Sequence, residues 1–409
     1  MKYIVIVGDG MADYPVEQLG GKTPLEKARK PAMDRLAQNG ILGLVRTVPE
    51  GMAPGSDTAN LSVFGYDPRR YYSGRSPFEA AGMGLPLRPG DVSFRCNLVT
   101  LSTEASYAAR TMVDYCAGEI SSAEAEQLIA AVNEHLSTPE IKFYPGISYR
   151  HLAVWAGGPG PEAWRLTPPH DITGRAIAPY LPAGEQAAVF RRMMEESAVF
   201  LPAHPVNRKR VAAGLNPANS IWLWGEGTAP QLPRFSDKYG LSGSVISAVD
   251  LVRGIAVYAG LQPVVVEGAT GNWQTNYAGK VAAALKALRQ DGDFVYIHLE
   301  GPDECSHRHE IENKVKAIEL IDAEVLRPLQ AALEAEGEEY SILVLPDHAT
   351  PLALRTHTGD PVPFVLFRSG GRREQLQRSF DEKNAHETGI FIAEGHRLMD
   401  YFLGDQDCI

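Results

Sequence analysis

The chain predicts an α/β protein with a mostly parallel sheet, into which a smaller α+β domain is inserted. Three observations carry that expectation. Continuous apolar runs stand at 3–7 (YIVIV), 294–299 (FVYIHL) and 341–345 (SILVL), and such runs are how strands covered on both faces read. Segments of helical composition lie beside them in the chain, so strands and helices alternate. Between residues 97 and 210 the pattern changes, with a dense Pro and Gly stretch at 157–182 that reads as loops.

Taken in order, the run 3–7 ends on Gly8-Asp9-Gly10, a strand end followed by a turn. A helix is expected over 23–39, with Pro24 in its first turn and Gly40 closing it. The middle region predicts a helix at 121–136, a strand at 147–156 and a helix at 185–197. Past residue 211 the α/β pattern returns, with a helix at 278–290 and the strand 294–299. Apolar residues at Ile311, Val315, Ile318, Ile321 and Val325 then repeat with a helical period. The strand 341–345 follows, and a further strand at 362–367 in spite of Pro363. The expected division is therefore 1–96 with 211–409 as the α/β domain and 97–210 as the insertion. No internal repeat or low-complexity segment interrupts it.

Composition narrows the function. A chain of 409 residues makes two or three domains. The net charge of -11 argues against a nucleic-acid partner but leaves room for a local cationic site that takes an anionic substrate. Cys96, Cys116, Cys305 and Cys408 form no CxxC pair, which fits a reducing compartment. Cys305 is not expected to ligate. The run at 3–7 is too short for an export signal, and no apolar stretch is long enough to span a membrane, so a cytoplasmic protein is expected.

The residues that carry chemistry fall at strand ends. Asp9 follows the first strand. Asp303 and His307 follow 294–299, Asp347-His348 follow 341–345, and His357 lies in the next loop. In open parallel sheets, sites form beyond the C-terminal strand ends. Singly, each of these is an ordinary turn or cap residue; their shared placement is what singles them out. Ser56, in 54–60 (PGSDTAN), sits near the start of an expected helix, where a phosphate on its oxygen is favoured. Three carboxylates and three imidazoles suit two borderline divalent ions, Mn²⁺, Zn²⁺ or Co²⁺. A serine beside such ions is a nucleophile for phosphoryl transfer. No Walker A or glycine-rich kinase loop is present.

Extended text matches a known family: GGKTPLEKA at 20–28, PGSDTANLSVFGYDP at 54–68, YYSGRSPFEAAGMG at 71–84, FRCNLVTL at 94–101, GPDECSH at 301–307, and LPDHATP at 345–351. With these, the chain resembles the archaeal-type cofactor-independent phosphoglycerate mutases of the alkaline phosphatase superfamily. The resemblance implies an alkaline phosphatase-like three-layer sandwich with the inserted domain. It implies two divalent ions, Mn²⁺ with Zn²⁺ or Co²⁺ as alternatives, one on Asp303, His307 and His357 and a second on Asp9, Asp347, His348 and the Ser56 oxygen. It further implies that Ser56 carries the phosphoryl group between the two hydroxyls of glycerate, without bisphosphoglycerate. Glycerate and phosphate contacts are expected from Arg150, Arg75 and Lys238, with His151 and the pair His170-Asp171 positioning or protonating the moving hydroxyl. No role is expected for His298, His309, His135, His204, His386 or His396, and Trp222 and Trp224 are expected in a core. One departure stands out: 114–119 reads DYCAGE where the family tends to carry arginines. That favours an alternative acceptor, with homoserine kinase-like transfer or plain phosphatase activity on the same metal site. A non-catalytic protein with a degenerate site would have lost ligands, and here all seven positions are filled.

Overall fold

The computed structural model describes residues 1–290, 292–371 and 376–404, so Cys408 lies outside the described residues. The chain divides into two compact units, one of Met1–Tyr72 with Gln231–Ile409 and one of Ser73–Pro230.

The first unit is built on an eight-stranded sheet. Its order is Phe391–Ile392, Ile41–Val45, Val362–Arg368, Tyr340–Leu345, Lys2–Gly8, Phe294–Leu299, Gly243–Ile246 and Gln262–Val264. Val362–Arg368 pairs antiparallel with both of its neighbours and every other pairing is parallel, so it alone runs against the rest. Of the runs that predicted strands, 294–299 and 341–345 are buried along their length, and 3–7 is buried from Ile4 onward. Alternate residues serve opposite faces. Ile4 and Ile6 pack on one side with Met33, Leu36, Ile318, Ile321 and Leu329. On the other side Tyr296 stacks on Phe64, just past the helix Ser56–Val63, with ring centroids 4.1 Å apart.

Two helix expectations change. The span 23–39 is two helices, Pro24–Lys27 and Pro31–Asn39. Pro31 has no N–H to continue the first and disfavours helical backbone at Lys30, but its fixed φ suits the start of the second. The helix beginning at Ile311 runs further than 325. It passes from Ile311–Leu320 through a π-helical turn at Ile321–Leu326 into Arg327–Ala335.

The second unit is a five-stranded antiparallel sheet with helices. Val92–Leu101 is its central strand, pairing with Arg150–Trp155, Ser220–Thr228 and Met112–Asp114, while Ile141–Tyr144 extends it. Ser121 caps the helix Ser122–Leu136 in a capping box with Glu124. The boundary expected at 96/97 would cut the central strand, and one at 210/211 would remove Ser220–Thr228 from its own sheet. The insertion therefore extends to Ser73 and Pro230. Trp222 and Trp224 belong to its core, as expected, with their ring nitrogens donating to the Thr167 carbonyl and to Asn97 Oδ1.

Candidate metal centre and nucleophile

Three neighbouring parallel strands deliver the acidic residues. Lys2–Gly8, Phe294–Leu299 and Tyr340–Leu345 lie side by side, and Asp9, Asp303 and Asp347-His348 follow their C-terminal ends. All four side chains are buried. Gly10 has φ +64°, and a Cβ there would stand 2.8 Å from the Asp303 Cα, so the turn after the first strand needs glycine to let the second strand's carboxylate approach.

Asp303, His307 and His357 come together as the resemblance implies. His307 Nε2 lies 3.1 Å from Asp303 Oδ2 and 3.1 Å from His357 Nε2, and His357 Nε2 lies 3.4 Å from Asp303 Oδ1. His307 Nδ1 stands 2.9 Å from the Arg355 carbonyl, which can only accept, so Nδ1 carries the proton and Nε2 faces the cluster. Arg355 holds that carbonyl in a left-handed conformation, φ 57°.

His348 is oriented by a relay through Thr350. The Thr350 hydroxyl donates to Asp303 Oδ1 at 2.6 Å, and its oxygen stands 3.1 Å from His348 Nδ1. With its one proton spent on the carboxylate, Thr350 accepts from His348 Nδ1–H, which turns the Nε2 lone pair inward. That nitrogen lies 3.2 Å from Ser56 Oγ and 3.5 Å from both Asp9 Oδ1 and Asp347 Oδ2.

Ser56 is the first residue of the helix Ser56–Val63, preceded by Gly55. Asn60, one turn on, ties that helix to the cluster. Its amide donates to the Ser56 carbonyl at 2.8 Å and to Asp347 Oδ2 at 2.7 Å, and its oxygen accepts from the Tyr296 hydroxyl. Neither Asn60 nor Thr350 stood out in the sequence, because each acts through contacts far along the chain.

The donor set fits divalent ions. The ion-pair partners of these three carboxylates among the described residues are all histidines. Burial, and then the charges of Asp347 and Asp303, push the Asp9 carboxyl well above its usual range. Burial would also raise Asp303, but hydrogen bonds from His307 and His357 outweigh it and hold this carboxyl well below that range. The Asp303 hydrogen bond in turn raises His307 to about 9. Three acids faced by imidazole nitrogens in one dry site call for cations. Two sets of donors lie within 4.8 Å of one another: Asp303 with His348 and His357, and Asp9 with Asp347 and His298. His298, expected to have no role, thus stands in the cluster; burial holds its pKa down to about 4.

The remaining expected residues are spread out. Lys238 belongs to the first unit, where its ammonium donates to the Gly65 carbonyl and lies over the Tyr239 ring. Gly65 lies two residues past the end of the helix Ser56–Val63. In the second unit His151 is a buried strand residue whose Nδ1 accepts from the Gly146 N–H at 3.0 Å. Burial takes its pKa to about 3, so it remains neutral and tied to the Gly146 turn. His170 and Asp171 are exposed, with His170 edge-on to Trp224. His309, for which no role is expected, faces the Leu352 carbonyl at 2.8 Å.

Arg75 and Arg150 belong to a cationic group that also contains Arg95. Glu79 Oε1 accepts from Arg75 Nε at 2.8 Å, Glu79 Oε2 lies 3.0 Å from Arg95 Nε, and Arg95 lies over the Trp224 ring at 4.3 Å. Burial would raise Glu79, but Arg95 and Arg75, with Arg150 beyond them, outweigh it and hold it ionised. One carboxylate among three guanidiniums leaves net positive charge for an anion. Arg95 and Glu79 were not singled out by the sequence reading. The DYCAGE segment nearby is a tight turn: Asp114 accepts from the Cys116 and Gly118 amides and from Asn216, and Tyr115 packs edge-on against Tyr149 and His170.

Comparison with known proteins identifies the family. The family model described as 2,3-bisphosphoglycerate-independent phosphoglycerate mutase matches residues 37–207. A protein of Geobacter sulfurreducens named as a probable 2,3-bisphosphoglycerate-independent phosphoglycerate mutase is 53% identical, over 98% of this chain and 100% of its own. One of Methanosarcina acetivorans bearing that name without the qualifier is 52% identical, over 98% of each chain. Among solved structures, the PH0037 protein of Pyrococcus horikoshii matches with a TM-score of 0.80 at 29% identity, over 98% of this chain and 96% of that one. The cofactor-independent phosphoglycerate mutase of Thermoplasma acidophilum matches with a TM-score of 0.64 at 28% identity, over 98% and 99%.

Proposed function

The chain belongs to the 2,3-bisphosphoglycerate-independent phosphoglycerate mutases, and from that premise we propose that it interconverts 3-phosphoglycerate and 2-phosphoglycerate with Ser56 as the phosphoryl carrier. The observation that carries the assignment of Ser56 is its hydroxyl, 3.2 Å from His348 Nε2 at the edge of a buried cluster of acids and imidazoles. Asp303, His307 and His357 would hold one divalent ion, and Asp9, Asp347, His348 and Ser56 Oγ the other. Bound there, the ions supply positive charge that acidifies the serine hydroxyl and offsets charge on the transferring phosphoryl group. Mixed carboxylate and imidazole donors suit Mn²⁺, with Zn²⁺ and Co²⁺ as alternatives.

The chain's own residues do the rest. Ser56 Oγ bonds to phosphorus as the bond to the 3-oxygen of glycerate breaks. Glycerate turns while Ser56 keeps the phosphoryl group, and the 2-hydroxyl then takes it. No bisphosphoglycerate is required, because the store of phosphate is the protein's own serine. The burial of Ser56, Asp347 and His348 keeps bulk water from hydrolysing the phosphoserine. Arg75, Arg95 and Arg150 are our candidates for binding the substrate's carboxylate and phosphate, with His170-Asp171 beside them. That cluster also bears on the absence of arginines from 114–119. Three guanidiniums come from elsewhere in the same unit, so the DYCAGE turn does not by itself move the acceptor to homoserine. Among the described residues no helix is long and apolar enough to cross a membrane, and Cys96, Cys116 and Cys305 are free thiols, as suits a cytoplasmic enzyme.

The test is a coupled enolase assay on 3-phosphoglycerate with Mn²⁺ and without bisphosphoglycerate. Turnover that a chelator abolishes and Mn²⁺ restores is expected. A protein that holds two metals yet leaves 3-phosphoglycerate unchanged would sink the proposal and turn the search to homoserine. Arg95→Met is expected to raise KM for 3-phosphoglycerate by about 10- to 100-fold, the loss of one charge-assisted contact, with metal content unchanged. An unaltered KM would remove Arg95 from the substrate site.

A further inference from the structure

We infer that His298 is an additional protein donor to the ion held by Asp9 and Asp347, binding through Nε2. The inference rests on the two-metal reading above and adds a residue to it. His298 ends the side-chain row of the strand Phe294–Leu299 and lies level with Val7, two residues before Asp9. Its side chain is 1% exposed, as is that of Asp9. Nε2 lies 3.1 Å from Asp9 Oδ2, yet it makes no hydrogen bond there, and Asp9 Oδ1 is likewise buried without a hydrogen-bond partner. The Nε2 atom and the Asp9 carboxylate thus lie side by side in a dry site with no hydrogen bond between them, and they are arranged as ligands of a common ion. Donors about 2.1 Å from one ion stand about 3.0–3.5 Å apart, and the observed separation falls in that range.

The other ring nitrogen supports this orientation. His298 Nδ1 lies 3.4 Å from the Ser247 hydroxyl, just past the end of the neighbouring strand Gly243–Ile246. Ser247 Oγ also accepts from the Val249 N–H at 3.0 Å. A proton on Nδ1, shared with Ser247, leaves the Nε2 lone pair free for an ion, which is how ligating histidines are usually held. The backbone is pinned as well, since the buried Lys280 ammonium donates to the His298 carbonyl at 2.9 Å.

The test compares the wild-type protein with His298→Ala and with His298→Leu, which fills the volume without offering a donor. Co²⁺ is titrated into metal-free protein, with the bound ion followed by its visible absorption and by equilibrium dialysis. The wild type is expected to bind two ions. In both variants one ion should bind as before, while the other weakens by about 100-fold or more and its absorption band shifts for want of a nitrogen ligand. Losing a residue that only orients a ligand costs about 10- to 100-fold, so affinity alone does not distinguish the roles and the spectrum decides. Two ions with an unchanged spectrum in either folded variant would overturn the inference, whether or not affinity drops. A wild type that binds no metal would overturn the two-metal reading itself, and that result is visible before any variant is made.

Discussion

Ser56→Ala is expected to lower kcat by more than about 10⁴-fold, the scale of loss when a covalent nucleophile is removed from a group that acts as a unit. The helix Ser56–Val63 should survive the change. Its backbone stays in place because Asn60 holds the Ser56 carbonyl, Asp347 and the Tyr296 hydroxyl independently of the serine oxygen. The measurement pairs the coupled assay with mass spectrometry of enzyme quenched during turnover. A phosphorylated peptide containing Ser56 should appear in the wild type and vanish in the variant. Turnover within about tenfold of wild type would mean that the phosphoryl group rides on another atom, whatever the metals do.

Lys314→Ala is expected to cost about 3–5 kcal/mol of stability, read as a fall in the urea midpoint. The Lys314 side chain is 0% exposed and its ammonium lies 2.7 Å from Asp13 Oδ2, whose own side chain is 1% exposed. It also donates to the Thr350 carbonyl at 3.0 Å. Removing the cation leaves a buried carboxylate that, among the described residues, the Tyr14 and Leu352 amides alone hold. Because this ammonium joins the segment after Asp9 to the segment after His348, metal affinity should fall together with stability. Replacing Asp13 with Asn in the same protein should recover part of the loss, since no unpaired charge remains. A loss below about 1 kcal/mol for Lys314→Ala would show that the pair contributes little to the fold.

Much of this was legible along the chain. The apolar runs at 3–7, 294–299 and 341–345 are long enough and uniform enough to be buried strands, and their ends locate Asp9, Asp303 and Asp347 without reference to tertiary contacts. Ser56 was legible from its place at a helix start. The break at Pro31 could have been read from the proline itself, but helical composition on both sides masked it. The limits of the inserted unit were harder. Val92–Leu101 carries Arg95 and Asn97 among apolar residues and reads as a strand of uncertain allegiance, and only its pairing with Ser220–Thr228 assigns both to one sheet.

What the sequence alone determined is the set of strand-end acids and histidines, the serine, and the order of elements that places them at one edge of a parallel sheet. Those follow from local periodicity and from the rule that sites gather beyond the C-terminal ends of parallel strands. Tertiary structure alone decided which nitrogen each histidine turns inward, that Lys238 bonds the Gly65 carbonyl, that Arg95 shares Glu79 with Arg75, and that His298 stands beside Asp9. Each of these depends on distances between residues far apart in the chain. A histidine in an apolar strand reads the same whether its ring meets leucine or a carboxylate, and only the neighbouring strand settles which.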